Sequence, residues 1–318
     1  MKNVLITGVS GYIGSRVAAL LSREDRVRSI AGTDIREPEP RIPGLIFIKR
    51  DIRKRLDDIL HRHSIDTVVH TAFILPPIHN STIMESVNLG GTLMLLESCA
   101  RCGIRHLLYT SSSTAYGFHH DNEVPLCENS PLRGNDDFSY SRIKKMIERH
   151  IEAVREDNPD LAITVLRPCF VVGPGFSNPL AQHLQKRIVI LPGGSHPLQF
   201  VHEDDLLEII MLMLRNRKDG VYNVGSTGTL SFREMVDMLG NRLIEVKPGL
   251  IYVLNALAWK LRLTFLTSFP SPALNMVMHP WIVSSDKLIT ETGFRYSYTT
   301  REAFLDFART LNDKKRIK

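Results

Sequence analysis

The chain has 318 residues, 43% of them hydrophobic and 23% charged, which is ordinary for a soluble globular protein and too apolar for a disordered one. That length calls for one large α/β domain or two lobes rather than a single small core. The formal net charge of +6 favours an anionic ligand, but the Lys and Arg residues are scattered, so no nucleic-acid partner is expected, and the terminal "KKRIK" reads as a frayed, solvated end.

The sequence opens on an apolar strand, "KNVLIT", with no leader ahead of it, so a cytoplasmic protein is expected. "GYIGSRVAALLS" opens a helix, "RVRSIAGTD" and "LIFIKRD" are the next strands, and "RLDDILHRH" is helical. "IDTVVHTA" is a fourth strand, followed by one long helix, "IMESVNLGGTLMLLESCARCG", and a fifth strand, "IRHLLYTSS". "YSRIKKMIERHIEAVRED" is the next helix and "LAITVLRP" the sixth strand. Strands alternating with helices make βαβ units, so the fold is a Rossmann-type, doubly wound parallel sheet with helices on both faces.

After Pro168 the texture changes to Pro- and Gly-rich loops, "VVGPGFSNP" and "LPGGSHP". "EDDLLEIIMLMLRN" is a helix expected to return to the first lobe, while "FREMVDMLGNRL" and residues 250–266 belong to a smaller lobe. The expected division is 1–168 with 200–220 for nucleotide binding, and 169–199 with 221–318 for substrate. No apolar run reaches the roughly 18 residues of a spanning helix. Residues 250–266 read as a packed small-lobe helix in preference to one lying on a membrane surface.

The four cysteines are Cys99, Cys102, Cys127 and Cys169. The first two form C-A-R-C inside a helical pattern, with no second pair at zinc spacing, so no metal site is expected, and a reducing compartment fits.

The first turn, "TGVSGYIG", sets Gly8, Gly11 and Gly14 between a strand and its helix. Glycines there let the backbone approach a pyrophosphate, which meets the free N–H groups and positive dipole end of the helix. About twenty residues after Gly14, Asp34 closes the second strand, where a carboxylate accepts ribose hydroxyls and repels a 2′-phosphate, favouring NAD over NADP. Asp51 and Ile52 follow the third strand and are candidates to flank the adenine.

With these, "HTA" at 70–72, Asn88, "SSSTAYG" at 111–117, "YSRIK" at 140–144, "LRP" at 166–168, "FVHEDD" and "YNVGS", nearly the whole chain resembles the extended short-chain dehydrogenases/reductases, the NAD-dependent epimerase/dehydratase family. The resemblance implies a catalytic set of Ser112, Tyr140 and Lys144. Tyr140 would exchange the proton of a substrate hydroxyl, Lys144 would hold the nicotinamide ribose and lower the Tyr pKa, and Ser112 would orient the substrate oxygen. It also implies NAD contacts from Tyr12, Ile13, Thr71, Ala72, Asn88 and Pro168 beside the glycines and aspartates. Phe73, Ser113, Phe170 and His202 are candidate substrate contacts, His202 without a catalytic role. A homodimer through a four-helix interface, built from helices at 84–102 and 140–157, is implied as well.

Three departures bear on the reaction. The family's 4,6-dehydratases carry Asp-Glu where this chain has Ser113 and Thr114, so the second acid/base for water elimination is missing. The sugar-nucleotide epimerases carry an Asn and an Arg where this chain has Phe170 and Leu198, which removes two polar anchors for a diphosphate. "AFILPP" after the fourth strand adds apolar lining. The expectation is an NAD-dependent oxidoreductase acting on a small molecule at a secondary alcohol or ketone carbon. A nucleotide-sugar 4-epimerase is the alternative, and a dinucleotide-sensing protein without chemistry stands behind both.

Overall fold

The structure, a computed structural model, describes residues 1–75 and 78–316; Pro76 and Pro77 of "AFILPP" and the last two residues of the basic tail lie outside the described residues. In chain order the elements begin β1 (Asn3–Thr7), α1 (Tyr12–Leu21), β2 (Ser29–Asp34), β3 (Leu45–Lys49), α2 (Asp57–Arg62) and β4 (Thr67–His70). Then come α3 (Ser81–Glu85), a π-helical turn (Ser86–Gly90), α4 (Gly91–Arg101), β5 (His106–Thr110), a 3-10 turn (Ser113–Tyr116), α5 (Ser139–Asp157) and β6 (Ala162–Pro168). The remainder is β7 (Phe170–Val172), α6 (Pro179–Leu184), β8 (Ile188–Pro192), β9 (Phe200–His202), α7 (Glu203–Asn216), β10 (Gly220–Val224), α8 (Phe232–Met238), β11 (Arg242–Val246) and α9 (Pro248–Lys260). A 3-10 turn (Ser271–Leu274) leads to α10 (Asn275–Met278), α11 (Asp286–Thr292) and α12 (Thr300–Arg316). The start of the basic tail, expected to fray, continues the backbone of α12.

The chain divides into two compact units. The first comprises Met1–Ser112, Ile143–Arg167 and Leu207–Tyr222. It is built on the seven-stranded parallel sheet, in the order β10-β6-β5-β4-β1-β2-β3. β1 and β4 are buried almost end to end, as strands covered on both faces must be. Register brings the C-terminal ends level: Thr7 pairs with both Thr33 and His70, and His70 with Tyr109. Gly8, Asp34, Thr71 and Ser111 therefore all leave the sheet along one edge, the edge where open α/β sheets take their ligands.

Within this unit α5 buries two stripes. Ile143, Ile147 and Ile151, spaced at i, i+4 and i+8, pack into the apolar cluster with Leu107 and Val165. The neighbouring stripe, Lys144 and Glu148, is polar and as deeply buried. The long helix expected over 83–103 is interrupted: α3 and α4 are joined by the π-helical turn at Asn88.

The second unit comprises Ser113–Arg142, Pro168–Leu206 and Asn223–Lys318, so residues 113–142, read from the sequence as part of the nucleotide-binding lobe, group here. It holds two short parallel pairs, β7 with β9 and β8 with β11. Its core is aromatic: Phe200 meets Phe304 with ring centroids 5.5 Å apart, and Phe176 meets Phe307 edge-on at 5.1 Å.

Candidate active site

The glycine turn is set by contact as much as by flexibility. Gly8 has φ +74°, and a Cβ there would stand 2.6 Å from the Cα and N of Ala72, so two backbone segments meet where no side chain fits. A Cβ on Gly14 would run into the Gly8 carbonyl and lie 2.7 Å from Thr71 Oγ1. Thr71 Oγ1 itself donates to the Thr7 carbonyl at 2.8 Å and locks the second segment against the first. α1 starts at Tyr12 with Gly11 as its cap, no side-chain cap bond and no acidic residue in its first turn. Its first turn thus offers N–H groups and a positive dipole end without an acidic side chain of its own, which is the donor set that a pyrophosphate needs. Tyr12 is exposed and carries the Arg16 guanidinium 4.2 Å over its ring; Ile13 is half-buried.

Asp34 ends β2 beside this turn. Its Oδ1 accepts from Ile35 N at 2.7 Å and Arg36 N at 3.3 Å, and its Oδ2 accepts from Ser10 N at 3.2 Å. Three backbone donors fix the carboxylate, which has about four acceptor positions and so keeps one to offer a ribose hydroxyl. Asp51 is clamped by Arg53, whose Nη2 reaches Oδ2 at 2.5 Å, and that guanidinium holds its carboxyl below the usual range. The Ile52 side chain packs into the core against Gly91, so only its backbone can face an adenine.

Behind the loop after β4 stands a fixed polar relay. Asn88, fully buried in the π-helical turn, accepts from Ile74 N at 2.7 Å and donates to Ile74 O at 3.1 Å, so its amide holds the Ile74 backbone. Thr92 Oγ1 donates to the Asn88 carbonyl at 2.6 Å and lies 2.8 Å from His70 Nε2. The Thr92 proton is thereby used, so Nε2 carries the imidazole proton and Nδ1 accepts from Thr7 Oγ1 at 2.6 Å. Burial, helped by the Lys144 charge, pushes His70 down to about 3, and it is neutral at physiological pH. Its ring stacks on Tyr109 with centroids 5.6 Å apart.

Tyr109 leads to Lys144. The Lys144 Nζ donates to Tyr109 Oη at 3.1 Å and to the Thr110 carbonyl at 2.8 Å, and lies 4.0 Å over the Phe73 ring. Only 3% of the residue is exposed, and burial pushes its pKa from 10.5 down to about 7, against a smaller upward pull from Glu148. Phe73, expected to contact substrate, is thus a cation–π partner of Lys144. Glu148, one turn on, accepts from Arg167 Nη2 at 2.7 Å and Nε at 2.8 Å, and from Ser111 Oγ. Ser111 is tied down by this buried pair; Ser112, the next residue, is buried with 7% exposure. Tyr140 lies on α5 four residues before Lys144, the spacing that puts two side chains on one helical face, and its ring is tilted against Phe138 at 6.2 Å.

Tyr109, Glu148 and Arg167 were missed by the sequence reading. The i+4 step from Lys144 to Glu148 and the "R" of "LRP" are the signals that point to two of them.

The second unit holds most of the expected substrate contacts. Ser113, expected to contact substrate, is fully buried and donates its hydroxyl to the Pro168 carbonyl at 3.1 Å. Pro168 is itself buried. His202 is 1% exposed, stacked on Tyr298 at 3.8 Å and within 3.2 Å of Asp306, the setting of a core histidine. Phe170 is half-buried, 5.9 Å from Phe200 and edge-on to Trp281 at 5.2 Å. Leu198 is buried and paired through its backbone with Leu230. The C-A-R-C thiols are poor thiolates: Cys99 is fully buried, and burial pushes both it and Cys102 up.

Residues 4–225 match the model of the NAD dependent epimerase/dehydratase family. An uncharacterized protein of Mycobacterium tuberculosis is 25% identical over 317 residues, covering 97% of this chain and 84% of the relative. Short-chain dehydrogenase/reductase family 42E member 1 of Xenopus laevis is 30% identical over 230 residues, 66% of this chain and 58% of that protein. Among solved structures, UDP-glucose-4-epimerase of Stenotrophomonas maltophila, with bound NAD and formylated UDP-arabinopyranose, superposes with a TM-score of 0.76 at 18% identity and covers 100% of both chains.

Proposed function

The chain belongs to the NAD dependent epimerase/dehydratase family, and from that premise we propose that it is an oxidoreductase acting at a secondary alcohol or ketone carbon, with Ser112, Tyr140 and Lys144 as its catalytic residues. The cofactor is NAD, which supplies the hydride acceptor when bound. The glycine turn with Tyr12 and Ile13 takes the pyrophosphate, and Asp34 the adenosine ribose. Asp51 and the Ile52 backbone flank the adenine. Thr71, Ala72 and Pro168 line the nicotinamide half, and Asn88 fixes the loop that carries Thr71 and Ala72.

Tyr140 Oη takes the substrate hydroxyl proton as the carbon gives up its hydride, and returns that proton in the reverse direction. Alcohol and NAD thus balance ketone, NADH and one proton. A free tyrosine titrates near 10, so acting near neutrality requires a drop of about three units, roughly 4 kcal/mol. A lysine ammonium one turn away favours the phenolate and supplies much of that drop. Ser112 Oγ donates to the substrate oxygen and aligns it.

The observation that carries the reading is the setting of Lys144. A lysine on α5, one turn after a tyrosine, is held at 3% exposure by a hydroxyl and a backbone carbonyl. A lysine without a task is solvated instead. The apolar packing of Phe170 and Leu198, where sugar-nucleotide epimerases carry polar anchors, supports a less charged substrate.

The test is to release bound nucleotide by heat, identify it, and screen secondary alcohols for NADH formation with wild type and Tyr140→Phe. Alcohol-dependent NADH formation that falls more than about a hundredfold in Tyr140→Phe, with NAD affinity unchanged, is expected. Interconversion of UDP-glucose and UDP-galactose without net NADH would instead establish the epimerase reading.

A further inference from the structure

α9 is amphipathic in the wrong sense for a helix facing water. Asn255, its only uncharged polar side chain besides Tyr252, points inward: Nδ2 donates to the Phe269 carbonyl at 3.0 Å and to Ser271 Oγ at 3.2 Å. Ser271 Oγ in turn donates to the Tyr252 carbonyl at 2.7 Å. Ala258 is buried on the same side. The outward stripe is Leu250, Val253, Leu254, Leu257 and Leu261, at the i, i+3, i+4, i+7 and i+11 spacing of one face, with Val253 65%, Leu254 55% and Leu257 54% exposed. Phe265, 74% exposed, and Leu266, 56% exposed, extend it beyond the helix. A contiguous apolar surface of this kind marks an interaction site.

The charges within the segment itself have one sign, with Asp137, whose charge acts on Tyr252, and Glu245, paired with Arg233, at its border. No Asp or Glu occurs from Val246 through Ser285, while Lys247 stands before the helix and Lys260 and Arg262 at its end, all three exposed. The last of these is placed by strain. Arg262 has φ +56°, the left-handed conformation that glycine normally takes just past a helix end. It closes α9 in a Schellman motif, with Arg262 N on the Trp259 carbonyl at 3.0 Å and Leu263 N on the Ala258 carbonyl at 2.9 Å. An arginine kept where glycine fits better keeps a cation beside the leucines.

We infer that α9 and the segment through Leu266 dock on an anionic phospholipid surface, lying in the plane of the headgroups. The helix of 13 residues is about 20 Å long, too short to cross a bilayer core of about 30 Å. Leucines enter the acyl boundary, Lys247, Lys260 and Arg262 meet the lipid phosphates, and the Asn255 side stays on the protein. Charge decides against a second copy as the occupant. A two-fold interface places the same patch on both sides, which would bring these cations together with no carboxylate in the segment to offset them.

The test is sedimentation of the full chain with phosphatidylcholine vesicles, with and without about one third phosphatidylglycerol, in low salt and in about 0.5 M NaCl, where the screening length falls to about 4 Å. Binding to the anionic vesicles only, weakened by salt, is expected. Leu257→Gln should weaken it at least about tenfold, since it deletes one buried leucine. Arg262→Gly should weaken it about fivefold, the effect of one cation near an anionic surface, while raising thermal stability by relieving the left-handed strain. Trp259 provides a spectroscopic reading, because the only other tryptophan, Trp281, is buried: its emission should shift to the blue on anionic vesicles, and the shift should vanish in Trp259→Phe. Equal or absent binding to both vesicle types, or self-association that Leu257→Gln abolishes, would overturn the proposal.

Discussion

Lys144 titrates near 7 because it is buried, so at about pH 8 most of it is the neutral amine. The proposed chemistry needs the ammonium. Ribose hydroxyls that accept from Lys144 favour its charged form, so NAD binding should draw in a proton while the Tyr140 hydroxyl keeps its own. Calorimetry at about pH 8 in two buffers of different ionisation enthalpy should register uptake of a large part of one proton. The uptake should fade near pH 6, where Lys144 is already charged, and disappear in Lys144→Met; heats independent of buffer at about pH 8 would take Lys144 out of cofactor binding. Asp34 offers a second check at this scale. Removing its carboxylate leaves a 2′-phosphate unrepelled, so Asp34→Ala should lower the NAD-over-NADP affinity ratio at least about tenfold, roughly 1.4 kcal/mol. A wild-type preference for NADP would contradict the assignment. The glycine turn and the strand end at Asp34 were legible in the sequence because both are local structure. The hydrogen bonds of Ser113 and His202 were not legible, because their motif positions say nothing about which neighbour takes the bond.

At the scale of elements, α5 shows where pattern reading stops. Its apolar i+4 stripe is plain in the sequence. Its charged stripe reads equally well as solvent-exposed, since Lys and Glu one turn apart are common on helix surfaces. Only Arg167, nineteen residues beyond Glu148 on β6, turns Glu148 into half of an ion pair with both side chains 2% exposed. Breaking such a pair leaves an uncompensated buried charge, so Glu148→Ala should destabilise the protein by about 3–5 kcal/mol in denaturant unfolding. A loss under about 1 kcal/mol would mean that water or another group satisfies Arg167. The π-helical turn was hidden for the same reason: it is bound to Ile74, fourteen residues back, and its sequence, "SVNLG", is no worse a helix than its flanks. α9 was read as a packed helix from its composition alone, and composition cannot say which face is covered.

Over the whole molecule, the pH dependence of stability should carry the mark of Glu203. Burial raises its pKa to about 7 from 4.5, with Asp204 and Asp306 adding repulsion and the Gly175 N–H pulling the other way. A folded pKa above the unfolded one means that the native state holds the extra proton between these values. Unfolding free energy should therefore fall as pH rises from about 4.5 to 7, by at most about 3 kcal/mol from this group. Burial shifts Asp205 in the same direction. Chemical denaturation across that range should show the slope, and Glu203→Gln should flatten it. A four-helix dimer through residues 84–102 and 140–157 remains our expectation for the assembly. Sedimentation equilibrium tests it, and Leu257→Gln should leave that dimer intact.

The position of β10 at the end of the sheet, against β6, has a consequence for synthesis. β6 is complete at Pro168, but the strand that covers its free side ends at Val224. At about 5–20 residues per second, a ribosome leaves that edge open for several seconds on each chain it makes. During that interval Ile163, Val165 and Leu166 border an unpaired row of backbone donors and acceptors, the feature most prone to pair with a neighbouring nascent chain. Loss of soluble yield on rapid overexpression, relieved by slower translation or lower temperature, is what this topology implies for anyone who makes the protein.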